Sequence, residues 1–201
     1  MDNFDRPDTE LGLGEGWDMR GYDALSPSVP GATDGFIRNG RYTYAGESLV
    51  YAVRQFGGTV QRMGAIGRWR KTGDGAETAL ALAITANDQL TTDMVQFTAN
   101  RSDWEVTVRR GGGPVEPVAK GLFSPTLKLD SNYQFELEAS SGALTVRAPG
   151  NEVTINVSTD GLLGNRAFWE ESPIGTPAGV VFDFDTVWAA EEGQPLSPVS
   201  Q

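Results

Sequence analysis

The stretch GVVFDFDTVWAA (residues 179–190) sets large apolar side chains against carboxylates with a period of two. Phe182, Phe184 and Trp188 fall on one side of it and Asp183 and Asp185 on the other, the pattern of a half-buried β-strand. The same period returns in RYTYAG (41–46), SLVYAVRQF (48–56), RMGAIGRWRK (62–71), MVQFTAN (94–100), WEVTVRR (104–110), YQFELEAS (133–140), ALTVRAP (143–149) and EVTINVS (152–158). Turn-forming clusters punctuate these runs: RNGR (38–41), TGDG (72–75), RRGGGP (109–114), ASSGA (139–143) and APGN (148–151). TALALAIT (78–85) has helix-forming Ala and Leu, but it is short and bracketed by turn residues, so it reads as a buried strand. No segment reads as a helix. About a dozen strands with one apolar face each call for two packed antiparallel sheets, an all-β sandwich.

Alternation also assigns faces. Trp104, Val106 and Val108 oppose Glu105, Thr107 and Arg109; Phe135, Leu137 and Ala139 oppose Glu136 and Glu138; Met63, Ala65 and Trp69 oppose Arg62, Arg68 and Arg70. One domain over 1–190 is expected, with EEGQPLSPVSQ (191–201) as a mobile tail and GYDALSPSVPGATDG (21–35) as a long loop.

Composition removes several chemistries. With no Cys and no His, disulfides, thiol nucleophiles, zinc thiolate sites and histidine bases are excluded. A net charge of −11 disfavours nucleic acid and anionic membranes as partners, since both recruit basic patches. No apolar run approaches the roughly 20 residues that cross a bilayer. The acidic, Gly-rich start MDNFDRPDTELGLGEGW (1–17) has neither a basic nor an apolar leader region, so no signal peptide is expected.

That start, with its Asp-x-Phe-x-Arg, its Leu-Gly pair and its Trp, resembles the opening of concanavalin A-like (laminin G-like) jelly-roll domains. GLLGNRAFWEESPIGTPAGVVFDFDTVWAA (161–190) resembles their closing strand. The resemblance spans the chain and implies a two-sheet antiparallel jelly roll whose first and last strands lie side by side. Phe4 then faces the core beside Phe182 or Phe184, and Gly12 and Gly14 supply the turns that lead to Trp17. In its leaderless, acidic, Cys-free form the chain is also similar to minor tail proteins of actinobacterial phages. That likeness implies a non-enzymatic virion component contacting other tail subunits or host-surface glycans, with self-association left open. The alternatives are a glycoside hydrolase or lyase of the same fold, or a laminin G-like lectin domain.

Candidate sites follow. Glu136 and Glu138 share a strand face with Cβ atoms about 7 Å apart. FELEASSG lacks the Asp and third Glu of the Glu-x-Asp-x-x-Glu pattern in sandwich hydrolases, so no catalytic residue is assigned there. Asp2, Asp183 and Asp185 converge if the end strands pair; with loop oxygens from TGDG or TANDQ (85–89) they leave a structural Ca²⁺ open, and no other cofactor is expected. The ligand-binding candidates are Tyr22 at the start of the long loop, Trp169 beside a loop, and the basic stripe Arg62, Arg68 and Arg70. For the stripe, the plainer reading is pairing with Glu136 and Glu138 on neighbouring strands.

Overall fold

The alternating runs form strands in the computed structural model, which describes residues 1–9, 12–21, 35–44, 50–86, 92–173 and 178–194. In chain order they are β1 (Asp18–Gly21), β2 (Gly35–Arg38), β3 (Arg41–Tyr44), β4 (Val50–Gln55), β5 (Val60–Lys71), β6 (Ala76–Thr85) and β7 (Met94–Ala99). There follow β8 (Asp103–Arg109), β9 (Glu116–Leu122), β10 (Tyr133–Ser140), β11 (Ala143–Ala148), β12 (Asn151–Asn156), β13 (Arg166–Pro173) and β14 (Ala178–Glu191). No helix occurs among the described residues.

Two antiparallel sheets result. Sheet A runs β2-β3-β14-β5-β10-β11-β12, and sheet B runs β1-β4-β13-β6-β7-β8-β9. They join at one corner, where β14 and β6 make a short parallel contact through Ala178 and Ala76. TALALAIT is the centre of β6, a strand as expected, with Leu80, Leu82 and Ile84 pointing into the core. Aromatic rings fill the space between the sheets. Trp69 and Phe182 sit 4.7 Å apart, Phe135 and Phe182 6.1 Å, and Phe97 of sheet B lies 6.1 Å from Phe135 of sheet A. The indole N–H of Trp69 donates to the Thr78 carbonyl, and that of Trp169 to the Gly64 carbonyl, so both polar handles are satisfied inside the core.

The N-terminal segment pairs with the last strand, but over a single bridge: Asp2 and Val187 exchange both backbone hydrogen bonds. Phe4 is fully buried with φ near 53°; its ring lies 6.0 Å from Tyr42, which stacks on Phe184 at 5.1 Å. A tyrosine ring therefore separates Phe4 from the phenylalanines expected beside it. Gly12 and Gly14 hold φ of 66° and 88°, as the turn to Trp17 requires.

One face assignment is corrected. The β14–β5 register shifts between Phe184 and Thr186, a bulge at Asp185 that reverses the alternation. Beyond it Val187 enters the core, and Trp188 lies on the outer face over Gly64, where any Cβ would meet the indole at 2.2 Å. β14 also runs on to Glu191, into the expected tail.

Candidate functional site

Sheet A carries the carboxylates that the sequence brought forward, on its outer face. Glu136, 2% exposed, is clamped by Arg62 at 2.7 Å and Arg147 at 2.6 Å, and Arg147 also takes Glu138 at 2.6 Å. Those hydrogen bonds, to Glu138 first and then Glu136, raise the Arg147 pKa further above its already high value. Asp183 accepts from Arg70 at 2.6 and 2.9 Å and from Thr43 at 2.6 Å, with Arg68 at 3.9 Å. Arg62, Arg68 and Arg70 thus do line up, but each faces a carboxylate of its own sheet. Each of these carboxylates is taken up by ion pairs within its own sheet, and the face is a lattice of such pairs.

The three Asp residues are also partnered. Asp2 accepts from Arg6, the Phe4 N–H and the Trp17 indole, while Asp185 pairs with Arg41 at 2.9 Å. Burial opposes ionisation of Asp2, but the Arg6, Phe4 and Trp17 bonds outweigh it and lower its pKa. No cluster of three metal-ligating side chains occurs among the described residues. Tyr22 and residues 87–89 of TANDQ lie outside the described residues. Trp169 is corrected: it is 1% exposed, edge-on to Trp17 at 5.3 Å, and offers no surface to a sugar.

The reason lies in β13. RAFWEESP alternates, so sending Trp169 inward sends Phe168 and Glu170 to the outer face of sheet B. Phe168 joins Val53, Ala83 and Met94 in a second apolar cluster there. Glu170 stands beside it, 4% exposed, with the Gln96 amide 3.4 Å from its carboxylate. No cation pairs with it among the described residues, and burial alone pushes its pKa up to about 7.

Strand register extends this neighbourhood across the sheet. Glu170 is opposite Ala81, Ala81 opposite Thr98, Thr98 opposite Glu105, and Glu105 opposite Lys120. At about 4.8 Å per strand, Thr98 is about 10 Å from Glu170 and Glu105 about 14 Å. The far half of this row opens into a groove of about 670 Å³, whose outer-face lining includes Ala79, Thr98, Asn100, Asp103, Glu105 and Lys120. Leu122, 75% exposed, marks its rim. The volume suits a few sugar rings, and the mixture of amide, hydroxyl and carboxylate with one exposed apolar edge suits their hydroxyls and C–H faces.

No family model matches the chain, and no curated protein matches it in sequence. Solved structures do. LamAcat from Zobellia galactanivorans superposes with a TM-score of 0.65 at 11% identity, covering 94% of this chain and 96% of its own. The fold is a concanavalin A-like jelly roll. The catalytic domain of an endo-1,3-β-glucanase (laminarinase) from Thermotoga petrophila follows at 0.63, 11% identity and 96% of both chains. The carbohydrate-binding module CBM66 from Bacillus subtilis gives 0.53 at 10%, covering 88% of this chain and 96% of that one. At such identities the likeness of these jelly rolls is one of fold. It nevertheless corrects the reading of the chain as a non-enzymatic phage tail component, since the solved structures sharing this jelly roll include a glucanase, a glycanase and an alginate lyase beside the carbohydrate-binding module.

Proposed function

We propose that this jelly roll is a carbohydrate-active enzyme that takes a polysaccharide across the outer face of sheet B and hydrolyses it, Glu170 giving its proton to the departing glycosidic oxygen while a water adds its oxygen to the anomeric carbon. The observation that carries this reading is the carboxyl itself. A lone Glu on the outer face of sheet B, shielded from water and with its pKa pushed up to about 7, suits the protonation of a departing glycosidic oxygen. The groove over Thr98 and Glu105 gives the chain of sugars its track. Glu136 and Glu138 are unsuited to the role, being neutralised by arginines on the other sheet. The carbohydrate-acting proteins among structures of the same fold support the substrate class.

The test is a panel of soluble β-1,3-glucan, mixed-linkage β-glucan, mucin O-glycan and alginate, assayed for new chain ends. Turnover of at least one is expected, with Glu170→Gln slowing it by a hundredfold or more while binding survives. Wild-type protein that cleaves none of them, or a Gln variant at full rate, overturns the assignment.

A further inference from the structure

Four strands form the edges of the two sheets, and three of them are guarded against further pairing. β9, at one edge of sheet B, carries Pro117 and Lys120 and meets β8 through a register shift. β1, at the other edge, is four residues long. β2, at one edge of sheet A, is also four residues long and takes a bridge from the N-terminal segment, Gly12 to Phe36. Short strands, prolines, lysines and bulges keep a free edge from recruiting another strand. β12, at the far edge of sheet A, has none of them. Asn151–Asn156 pairs with β11 in an unbroken register, its Val, Thr and Ile favour a strand, and no described strand lies on its other side.

The backbone of β12 shows which groups that open side presents. Val157, just past the strand, donates its N–H to the Gly142 carbonyl on the β11 side. Peptide groups alternate along an antiparallel strand, so those of Asn151, Val153 and Ile155 also point toward β11. Those of Glu152, Thr154 and Asn156 point away from it, and these three residues are exposed. Side chains alternate as well. Val153 and Ile155 are half-buried against the core. Glu152, Thr154 and Asn156 lie on the outer face, where Glu152 accepts from Arg147 at 3.3 Å and the Thr154 hydroxyl lies 3.1 Å from that of Thr145.

We propose that β12 pairs antiparallel with β12 of a second copy of this chain about a two-fold axis at Thr154, so that sheet A continues from one copy into the other. Two identical strands keep core faces together only when residues of the same face stand opposite each other. Centring on Thr154 does this: Glu152 meets Asn156, Val153 meets Ile155, and Thr154 meets its own counterpart. Every outward-pointing peptide group then finds a partner, about six hydrogen bonds in all, whereas centring on Val153 leaves Asn156 out. Val153 and Ile155 cover their counterparts, and the Thr145–Thr154 contact runs on into the second copy. No like charges are opposed, since Glu152 faces an amide. The contact is one strand wide, so the dimer is weak and concentration-dependent. Its axis passes through sheet A, which leaves sheet B on the same side in both copies.

Sedimentation velocity over about 1–500 μM chain, in about 0.15 M salt to screen the net charge, compares wild type with Thr154→Lys, Asn156→Lys and Thr154→Pro. Wild type is expected to pass from monomer to dimer across that range. The two lysine variants change the net charge equally, so register alone separates them. Thr154→Lys opposes two ammonium groups at the axis and is expected to raise the dimer Kd about fivefold or more. Asn156→Lys sets a lysine opposite Glu152 twice and is expected to lower it about fivefold. Thr154→Pro removes an N–H that β11 does not use and is expected to abolish the dimer. Thermal midpoints identify a variant that fails to fold, and the lysine pair decides the question if the proline one does. A wild type that stays monomeric throughout overturns the proposal, and so does a dimer that the two lysines affect alike or in the reverse order.

Discussion

Arg70 and Glu170 show how burial treats two side chains of opposite prospects. Arg70 was one of three arginines whose spacing advertised a basic stripe, yet its guanidinium is committed to Asp183, which is almost wholly buried. Replacing it by Met keeps the aliphatic packing and leaves that carboxylate with Thr43 and a distant Arg68. Breaking one partner from a buried pair costs roughly 3–5 kcal/mol, and Arg70→Met is expected to lower stability toward the low end of that range in urea unfolding. Glu170 has no countercharge, so its pKa runs the other way, from 4.5 to about 7. The folded state then holds a proton that the unfolded chain has lost between those values. The stabilising contribution of the neutral carboxyl is complete below pH 4.5, declines as pH rises and is gone above about pH 7. It amounts to about 3 kcal/mol. Glu170→Gln should flatten this slope relative to wild type, as read from unfolding free energies at pH 5 and pH 8; parallel slopes would mean the carboxyl is hydrated.

At the scale of elements, the ends of the chain close the sandwich through very few contacts. Residues 1–9 contribute one bridge, one fully buried ring and the Asp2–Arg6–Trp17 cluster. Deleting residues 1–6 empties the Phe4 site between Trp17 and Tyr42 and is expected to cost about 3–5 kcal/mol, measured as a drop in the urea midpoint. An unchanged midpoint would show that Tyr42 and Phe184 close the core by themselves. Much of this arrangement was legible beforehand, because period-two alternation is a local property: ten of the strands and the inward faces of β5, β8 and β10 follow from it, whereas the end-strand pairing and the glycine turns came from the resemblance to jelly-roll domains, and β1, β2, β9 and β13 were not read as strands. What escaped did so for physical reasons. The bulge at Asp185 is set by pairing with β5 and has no mark of its own in FDFDTVW, so Trp188 was assigned to the wrong face. Trp169 and Glu170 are adjacent, and attention to the indole hid the carboxylate. Alternation through RAFWEE places one of them outward, and only the Gly64 carbonyl across the sandwich, which accepts the indole N–H, decides which. The pKa of Glu170 rises through burial alone, which is a product of the pairing of β13, β6 and β7 and has no motif in the sequence.

For the whole molecule the deciding quantity is charge. A net of −11 is spread over a sandwich in which many of the arginines are neutralised within sheet A, and the groove of sheet B carries Asp103 and Glu105 against Lys120. The field at that groove is therefore repulsive to polyanions, and repulsion between exposed charges fades once the Debye length falls to about 8 Å at physiological salt and about 3 Å at 1 M. Neutral and uronate polymers should separate on this basis. Cleavage or binding of a neutral β-glucan is expected to vary by less than about twofold between 20 mM and 1 M sodium chloride. Any association with alginate is expected to be weak at low salt and to strengthen as salt is added. Titrating both polymers against the protein by calorimetry over that range checks the sign directly. Alginate binding that is tight at 20 mM and lost at 1 M would instead place a basic surface on the glycan path.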